Sequence, residues 1–233
     1  TITLNSITPN ELKVLVATGA GSKAINDGTI TSKINKGIGI YASNGAQGIN
    51  KNSKTITMDG DAAFGMVGAA ADTENSGDIT INGTSSVGMY SVESTPSKTA
   101  VNKGTITTTG AKNIGMVAEN SNITNDALGT IKLTNTTENV GMYSKGTTGT
   151  ITNNSIVSVT GKESVGAAAL DGIINAAAGK ISASGLSGIT LYTGGTTGGT
   201  INATGGTIEA ANGAINVYAD KGTIKFNGAA INT

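Results

Sequence analysis

Apolar residues return along this chain in short blocks at nearly constant spacing, and that spacing predicts the architecture. A block reading apolar, small, apolar, then aromatic or aliphatic occurs eight times. The copies are Ile38-Gly39-Ile40-Tyr41, Phe64-Gly65-Met66-Val67, Val87-Gly88-Met89-Tyr90, Ile114-Gly115-Met116-Val117, Val140-Gly141-Met142-Tyr143, Val165-Gly166-Ala167-Ala168, Ile189-Thr190-Leu191-Tyr192 and Ile215-Asn216-Val217-Tyr218. Their second residues step by 26, 23, 27, 26, 25, 24 and 26, so each repeat is one supersecondary unit of about 25 residues. A second apolar position precedes each block, usually within Gly-Thr-Ile-Thr: Ile30, Ile56, Ile79, Ile106, Ile131, Ile156, Ile181 and Ile208. It lies 8 to 10 residues before the small residue, whereas the next one follows 14 to 18 after it. Length variation therefore falls in one arm of the repeat, where insertions can loop outward. That arm carries a third marker, asparagine, at positions 26, 50, 75, 102, 125, 153, 175 and 202.

Three strand signals per repeat predict an all-β chain: a right-handed parallel β-helix (β-solenoid) of about nine turns, with three short strands in each. Residues 1–233 read as a single segment of such a helix. Residues 5–20 fit the repeat poorly and can form an irregular turn, although Leu12, Val14 and Val16 alternate like a strand. Side chains alternate across a strand, so the first and third residues of each block are expected inside, with Met66, Met89, Met116 and Met142 as an inner ladder. The second and fourth are expected outside, glycine beside tyrosine. Asparagine tolerates corner conformations and can bond amide to amide between stacked turns.

Composition changes this picture only by exclusion. The 35 glycines and 3% aromatic content would indicate disorder were the apolar residues scattered. Fifteen basic residues, all lysine, balance 15 acids, and there is no His, Cys or Trp. With neither a basic excess nor arginine, nucleic acid is excluded as a partner. A cysteine-free chain fits export. No stretch approaches the roughly 18 apolar residues of a membrane helix, so this segment does not itself insert in a bilayer. Thr1 opens no charged, apolar leader, so an exported chain would be a mature fragment. Thr1-Ile2-Thr3-Leu4 and Ala230-Ile231-Asn232-Thr233 both break off within a repeat, as expected for a piece excised from a longer rod.

Candidate chemistry is sparse. Glycosidases need two carboxylates, but no histidine or arginine is available to assist, and no catalytic residue, cofactor or metal is assigned. The densest acidic group, Asp59, Asp61, Asp72, Glu74 and Asp78, has the oxygen ligands for Ca²⁺ but reads as solvated corners. Threonine ladders characterise some flat ice-binding solenoids; here Asp78, Lys132, Lys180 and Glu209 interrupt the array. The outward tyrosines, Tyr41, Tyr90, Tyr143, Tyr192 and Tyr218, are the candidate binding residues. Val67, Val117 and Ala168 stand between the first four, spacing rings about 9–10 Å apart. Tyrosine is a favoured interface residue; alternatively each ring covers the glycine beside it and its strand neighbours.

The Gly-Met-Tyr and Gly-Met-Val blocks, with Gly-Thr-Ile-Thr and Ile-Asn-x-Gly segments in a lysine-rich, arginine-free and cysteine-free chain, resemble passenger repeats of large type V autotransporter adhesins of the Fusobacterium kind. The resemblance spans essentially the whole chain. It implies an extracellular, cell-surface segment anchored through a C-terminal outer-membrane barrel outside this sequence. The implied activity is adhesion to host cells or other microbes through a protein or glycan receptor. Two alternatives remain at this point: a non-binding stalk displaying a tip located elsewhere, and a polysaccharide-active β-helix enzyme.

Overall fold

The structure, a computed structural model, describes residues 1–4, 12–93, 98–134 and 137–233. Twenty-eight strands and no helix are found among them. All the strands are stacked in three parallel sheets of ten, nine and nine. One turn runs through Ile38–Ser43, Gln47–Asn50 and Thr55–Met58, one strand per sheet, before Phe64–Ala69 rejoins the first sheet directly above Ile38–Ser43. Nine such turns form a β-solenoid, with Ile2–Leu4 as one additional strand at its start. At the usual strand separation of about 4.8 Å the rod is roughly 40–45 Å long. We refer to the three faces as the tyrosine, asparagine and threonine sheets.

Lys13–Thr18 pairs in register with Ile38–Ser43 and is an ordinary strand of the tyrosine sheet. Of the region expected to be irregular, residues 5–11 lie outside the described residues.

The core is a set of columns. Ile40, Met66, Met89, Met116 and Met142, all fully buried, continue as Ala167 and Leu191. They face the threonine-sheet column Ile30, Ile56, Ile79, Ile106, Ile131, Val157, Ile181 and Ile208, equally buried. Each such side chain contributes about 1.5–3 kcal/mol on removal from water. The threonine sheet follows the expected alternation: in Thr55–Met58, Ile56 and Met58 are buried while Thr55 and Thr57 face outward. One repeat deviates from the sequence reading. Val157, not Ile156, occupies the inner column, and Ile156 is 44% exposed. A shift of one residue moves a side chain to the other face, and Val157 keeps the nine-residue distance to Gly166 seen between Ile106 and Gly115.

The tyrosine sheet departs more fundamentally from simple alternation. Its first-column residues, including Phe64, Val87 and Ile114, are only partly buried and face outward, whereas the glycine after each points inward. A Cβ on Gly65 would lie 2.6 Å from both the Gly88 carbonyl oxygen and Ile79 Cγ2; Gly88 is equally confined by Gly115 and Ile106. Two consecutive inward residues, glycine then methionine, break the alternation, and the pairing skips the glycine in turn after turn. The expectation of first and third residues inside, second and fourth outside, therefore holds for the third and fourth only. Absence of a side chain is what lets the tyrosine sheet close on the isoleucines of the threonine sheet.

Corners are stacked as regularly as strands. Where the threonine sheet passes to the tyrosine sheet, Lys36, Ala62, Ser85, Lys112, Glu138 and Glu163 all have φ between 53° and 60°. Backbone N–H groups at these corners donate to the next turn, as from Lys36 to Asp61 O (2.8 Å) and from Ala62 to Thr84 O (2.8 Å). Bonding to a neighbouring turn satisfies backbone groups that a loop would otherwise leave unpaired.

Two buried polar ladders run along the axis. In the first, Asn26, Asn50, Asn75, Asn102 and Asn125 each donate Nδ2–H to the Oδ1 of the next member, ending at Asn153, over 2.8–2.9 Å. Asn175 and Asn202 do not join it. They occupy the preceding, outward position, and Ala176 and Ala203 continue the inner column. The second ladder was not anticipated: Ser86, Asn113, Asn139 and Ser164 accept from the N–H groups of Ala63, Ser86, Asn113 and Asn139 respectively (2.8–3.2 Å).

Candidate functional site

The expected tyrosine column exists, and the register builds it residue by residue. Tyr41 pairs with Val67, Val67 with Tyr90, Tyr90 with Val117, Val117 with Tyr143, Tyr143 with Ala168 and Ala168 with Tyr192. Tyr218 lies directly beyond Tyr192. All five are partly or fully exposed on the outer face. Val67, Val117 and Ala168 retain only 6%, 6% and 5% of their accessible surface. The adjacent glycines face the core, so what the rings flank is this column of small residues and not the glycines.

Each ring has different neighbours. Lys13 Nζ sits 4.1 Å from the Tyr41 ring centroid, within cation–π range. Tyr90 tilts against Phe64 at 58° with centroids 5.8 Å apart, and Tyr192 lies nearly parallel to Tyr218, also at 5.8 Å. The Tyr90 hydroxyl donates to Glu119 Oε2 (2.6 Å), and Lys145 Nζ donates to Glu119 Oε1 (3.1 Å). Partial burial, followed by the Glu119 hydrogen bond, pushes the Tyr90 phenol above its ordinary range, and burial raises Tyr143. The hydrogen bond from Tyr90 and then that from Lys145 hold Glu119 low. These phenols therefore stay protonated at neutral pH: they can donate hydrogen bonds and present ring faces, and they are poor nucleophiles. Beside them runs the partly buried first column of Ile38, Phe64, Val87, Ile114, Val140, Val165 and Ile189. Sequence reasoning placed that column inside; the glycine's inward turn was the signal it lacked. The outer face of this sheet is consequently a two-column apolar and aromatic strip.

The acidic group disperses. Asp59 accepts from Asn82 Nδ2 (2.7 Å), and Asp61 accepts from the Thr84 N–H and hydroxyl (2.8 and 2.9 Å), which lower its pKa. Asp72 and Glu74 lie on the asparagine sheet, paired with Lys98 (3.4 Å) and Lys103 (2.8 Å), while Asp78 lies on the threonine sheet. Among the described residues no three acidic side chains converge as metal ligands. The outer threonine array is interrupted where expected, with Lys180 and Glu209 3.5 Å apart across adjacent strands.

The repeat geometry, the glycine-confined turns and the outward strip are those of a stacked, non-globular rod. Comparison with curated proteins and with solved structures returned no match. A family model described as the BigA third pectate lyase-like domain matches residues 1–181. With most of its length matched, the chain belongs to the family of the BigA third pectate lyase-like domain and is a β-helix domain of a bacterial surface protein.

Proposed function

We propose that this chain is a passenger segment of an autotransporter adhesin. Its tyrosine sheet contacts a protein or glycan receptor on host cells or other microbes. The observation carrying this reading is the in-register column of Tyr41, Tyr90, Tyr143, Tyr192 and Tyr218 on one outer face, beside an apolar column. Aromatic rings on a rigid support contribute contact area at small entropic cost. Rings separated by two turns recur about every 9–10 Å, a period that suits an extended polymer or several receptor copies. Kinship to the Fusobacterium type of passenger, and anchoring in the outer membrane by a C-terminal barrel, belong to the same proposal and rest on the repeat pattern.

The segment acts without catalysis in this reading. The lack of histidine and arginine and the dispersal of Asp59, Asp61, Asp72, Glu74 and Asp78 support that part. The second reading, a passive stalk, is favoured by the uniformity of the stack, whose corners follow one another with little interruption. Replacing Tyr90, Tyr143 and Tyr192 together by serine separates the two. Adhesion of cells displaying the protein should fall at least tenfold with the β-sheet circular dichroism preserved; unchanged adhesion would leave the stalk. Release of reducing ends from a polysaccharide panel would overturn the non-catalytic reading.

A further inference from the structure

The tyrosine sheet is not uniform along the rod. At its first three turns the outer strip opens into a cleft of about 470 Å³, lined by Lys13, Lys36, Ile38, Tyr41, Ala62, Phe64 and Ser85. That volume lies within the about 300–1,000 Å³ of small-molecule sites. Ile38 and Phe64 come from the first column, Tyr41 from the tyrosine column, and Lys36, Ala62 and Ser85 from or beside the left-handed corner. The cleft is therefore framed by stacked backbone, whose strands and corners bond from turn to turn. Its lining is mainly apolar, with Lys13 and Lys36 as the two charged residues.

Among the described residues those two charges have no counter-ion. No carboxylate pairs with Lys13 or Lys36 among the described residues; Lys13 is held over the Tyr41 ring at 4.1 Å instead. The acid nearest along the corner, Asp61, accepts from Thr84 through its carboxylate and meets Lys36 only through the backbone. By contrast, Lys51 and Lys54 in the same part of the rod both pair with Asp27. Further along the strip Lys145 is likewise neutralised, by Glu119. An apolar cleft with two uncompensated cations complements an anion with an apolar body.

We infer that the cleft between Tyr41 and Phe64 binds an organic carboxylate carried on an aromatic or aliphatic body, with Lys13 and Lys36 gripping the carboxylate. The body lies on Ile38 and Phe64 beside the Tyr41 ring, and the Ser85 hydroxyl supplies one further polar contact. Sugar acids match less well, because a pyranose brings many hydroxyls to a lining that offers few partners for them. This site goes beyond the adhesion reading: it shares Tyr41 with the tyrosine column, but Tyr90, Tyr143 and Tyr192 take no part in it.

The test is amide-detected NMR titration of the whole chain with 4-phenylbutyrate, its uncharged amide and glucuronate. Saturable shifts confined to the amides around Ile38, Tyr41, Phe64 and Ser85 are expected for phenylbutyrate, with the amide and glucuronate at least tenfold weaker. The double variant Lys13→Gln/Lys36→Gln should weaken phenylbutyrate at least tenfold at an unchanged melting temperature, and added salt should weaken the unaltered protein. A peptide ending in phenylalanine, with free or amidated C-terminus, distinguishes a protein end from a free acid as the source. Equal binding of phenylbutyrate and its amide, tighter binding of glucuronate, or no saturable shift at these residues overturns the proposal. Adhesion is not read in this experiment, so its failure is separate from failure of the adhesion reading.

Discussion

The turns carrying glycine in the second position of the tyrosine strand and the last two turns solve the same packing problem differently. From Gly39 to Gly166 the inward position has no side chain, the tyrosine sheet touches the opposite isoleucines, and methionine or isoleucine fills most of the neighbouring column. In the last two turns Thr190 and Asn216 take that position. Thr190 Oγ1 donates to Glu209 O (2.8 Å) and Asn216 Nδ2 to Asn232 O (3.0 Å), both on the threonine sheet. A polar side chain there replaces direct backbone approach with a hydrogen bond to the threonine sheet. Over nearly the same stretch the asparagine ladder gives way to Ala176 and Ala203, and the alternating tyrosine column ends in the Tyr192–Tyr218 stack. The family match stops at residue 181, close to where these changes begin. The stack thus tolerates several column chemistries, provided that each closes the gap between sheets; Asn216 does so while its Oδ1 stays buried without a hydrogen-bond partner among the described residues.

Swapping the two solutions should break the comparison most sharply. Gly88→Thr forces a side chain against Gly115 O and Ile106 Cγ2 and should cost about 3 kcal/mol through overpacking. Thr190→Gly loses one part-buried hydrogen bond and should cost only about 1–2 kcal/mol. Urea unfolding followed by circular dichroism measures both; equal costs would mean that the glycine turns are not closer packed.

Next in size is the ladder. Asn102→Ala leaves the Asn75 amide without its acceptor and Asn125 Oδ1 without its donor, for about 2 kcal/mol. Asn202→Ala, outside the ladder, should cost less than about 1 kcal/mol. A loss at Asn202 as large as at Asn102 would place both asparagines in one network.

Acid should act on the two regions unequally. Asp171 accepts from the N–H groups of Thr196, Thr197 and Gly198 and from the Thr197 hydroxyl, and these bonds lower its pKa to about 2 from 3.8. A depressed carboxylate contributes stability that is complete above the unfolded value near 4 and is lost as pH falls through about 2. Ala70, at the same kind of left-handed corner earlier in the chain, has no carboxylate to titrate. Amide exchange at residues 196–198 should therefore accelerate between about pH 4 and 2, and Asp171→Asn should remove that dependence. The smallest effect is expected at the exposed Lys162–Glu163 pair (2.9 Å): Lys162→Ala should leave the melting temperature unchanged, as is usual for solvated ion pairs.

Much of the fold was legible because a solenoid writes its period directly into the sequence. The block spacing gave the three parallel sheets, the nine turns, the methionine column and the tyrosine column. Orientation within a turn was less accessible. The dipeptide Ile-Asn faces its asparagine inward at Ile25-Asn26 and outward at Ile174-Asn175. Nothing in the dipeptide differs; what differs is that Ala176 can follow Asn153 in the inner column. Ile156 and Val157 pose the same problem, and a one-residue offset decides which of two apolar side chains is buried.

Period and number of turns could be read from the chain alone, because hydrogen bonding along the axis requires like positions to recur. Only the tertiary structure decided which way the glycines turn. That choice depends on the distance to the isoleucines of the facing sheet, a contact between positions 14 to 18 residues apart that no strand pattern records. Once the glycine turns inward, the preceding apolar residue is driven to the surface. The outer strip, the dispersal of the acidic residues and the Lys13–Phe64 cleft became visible with it.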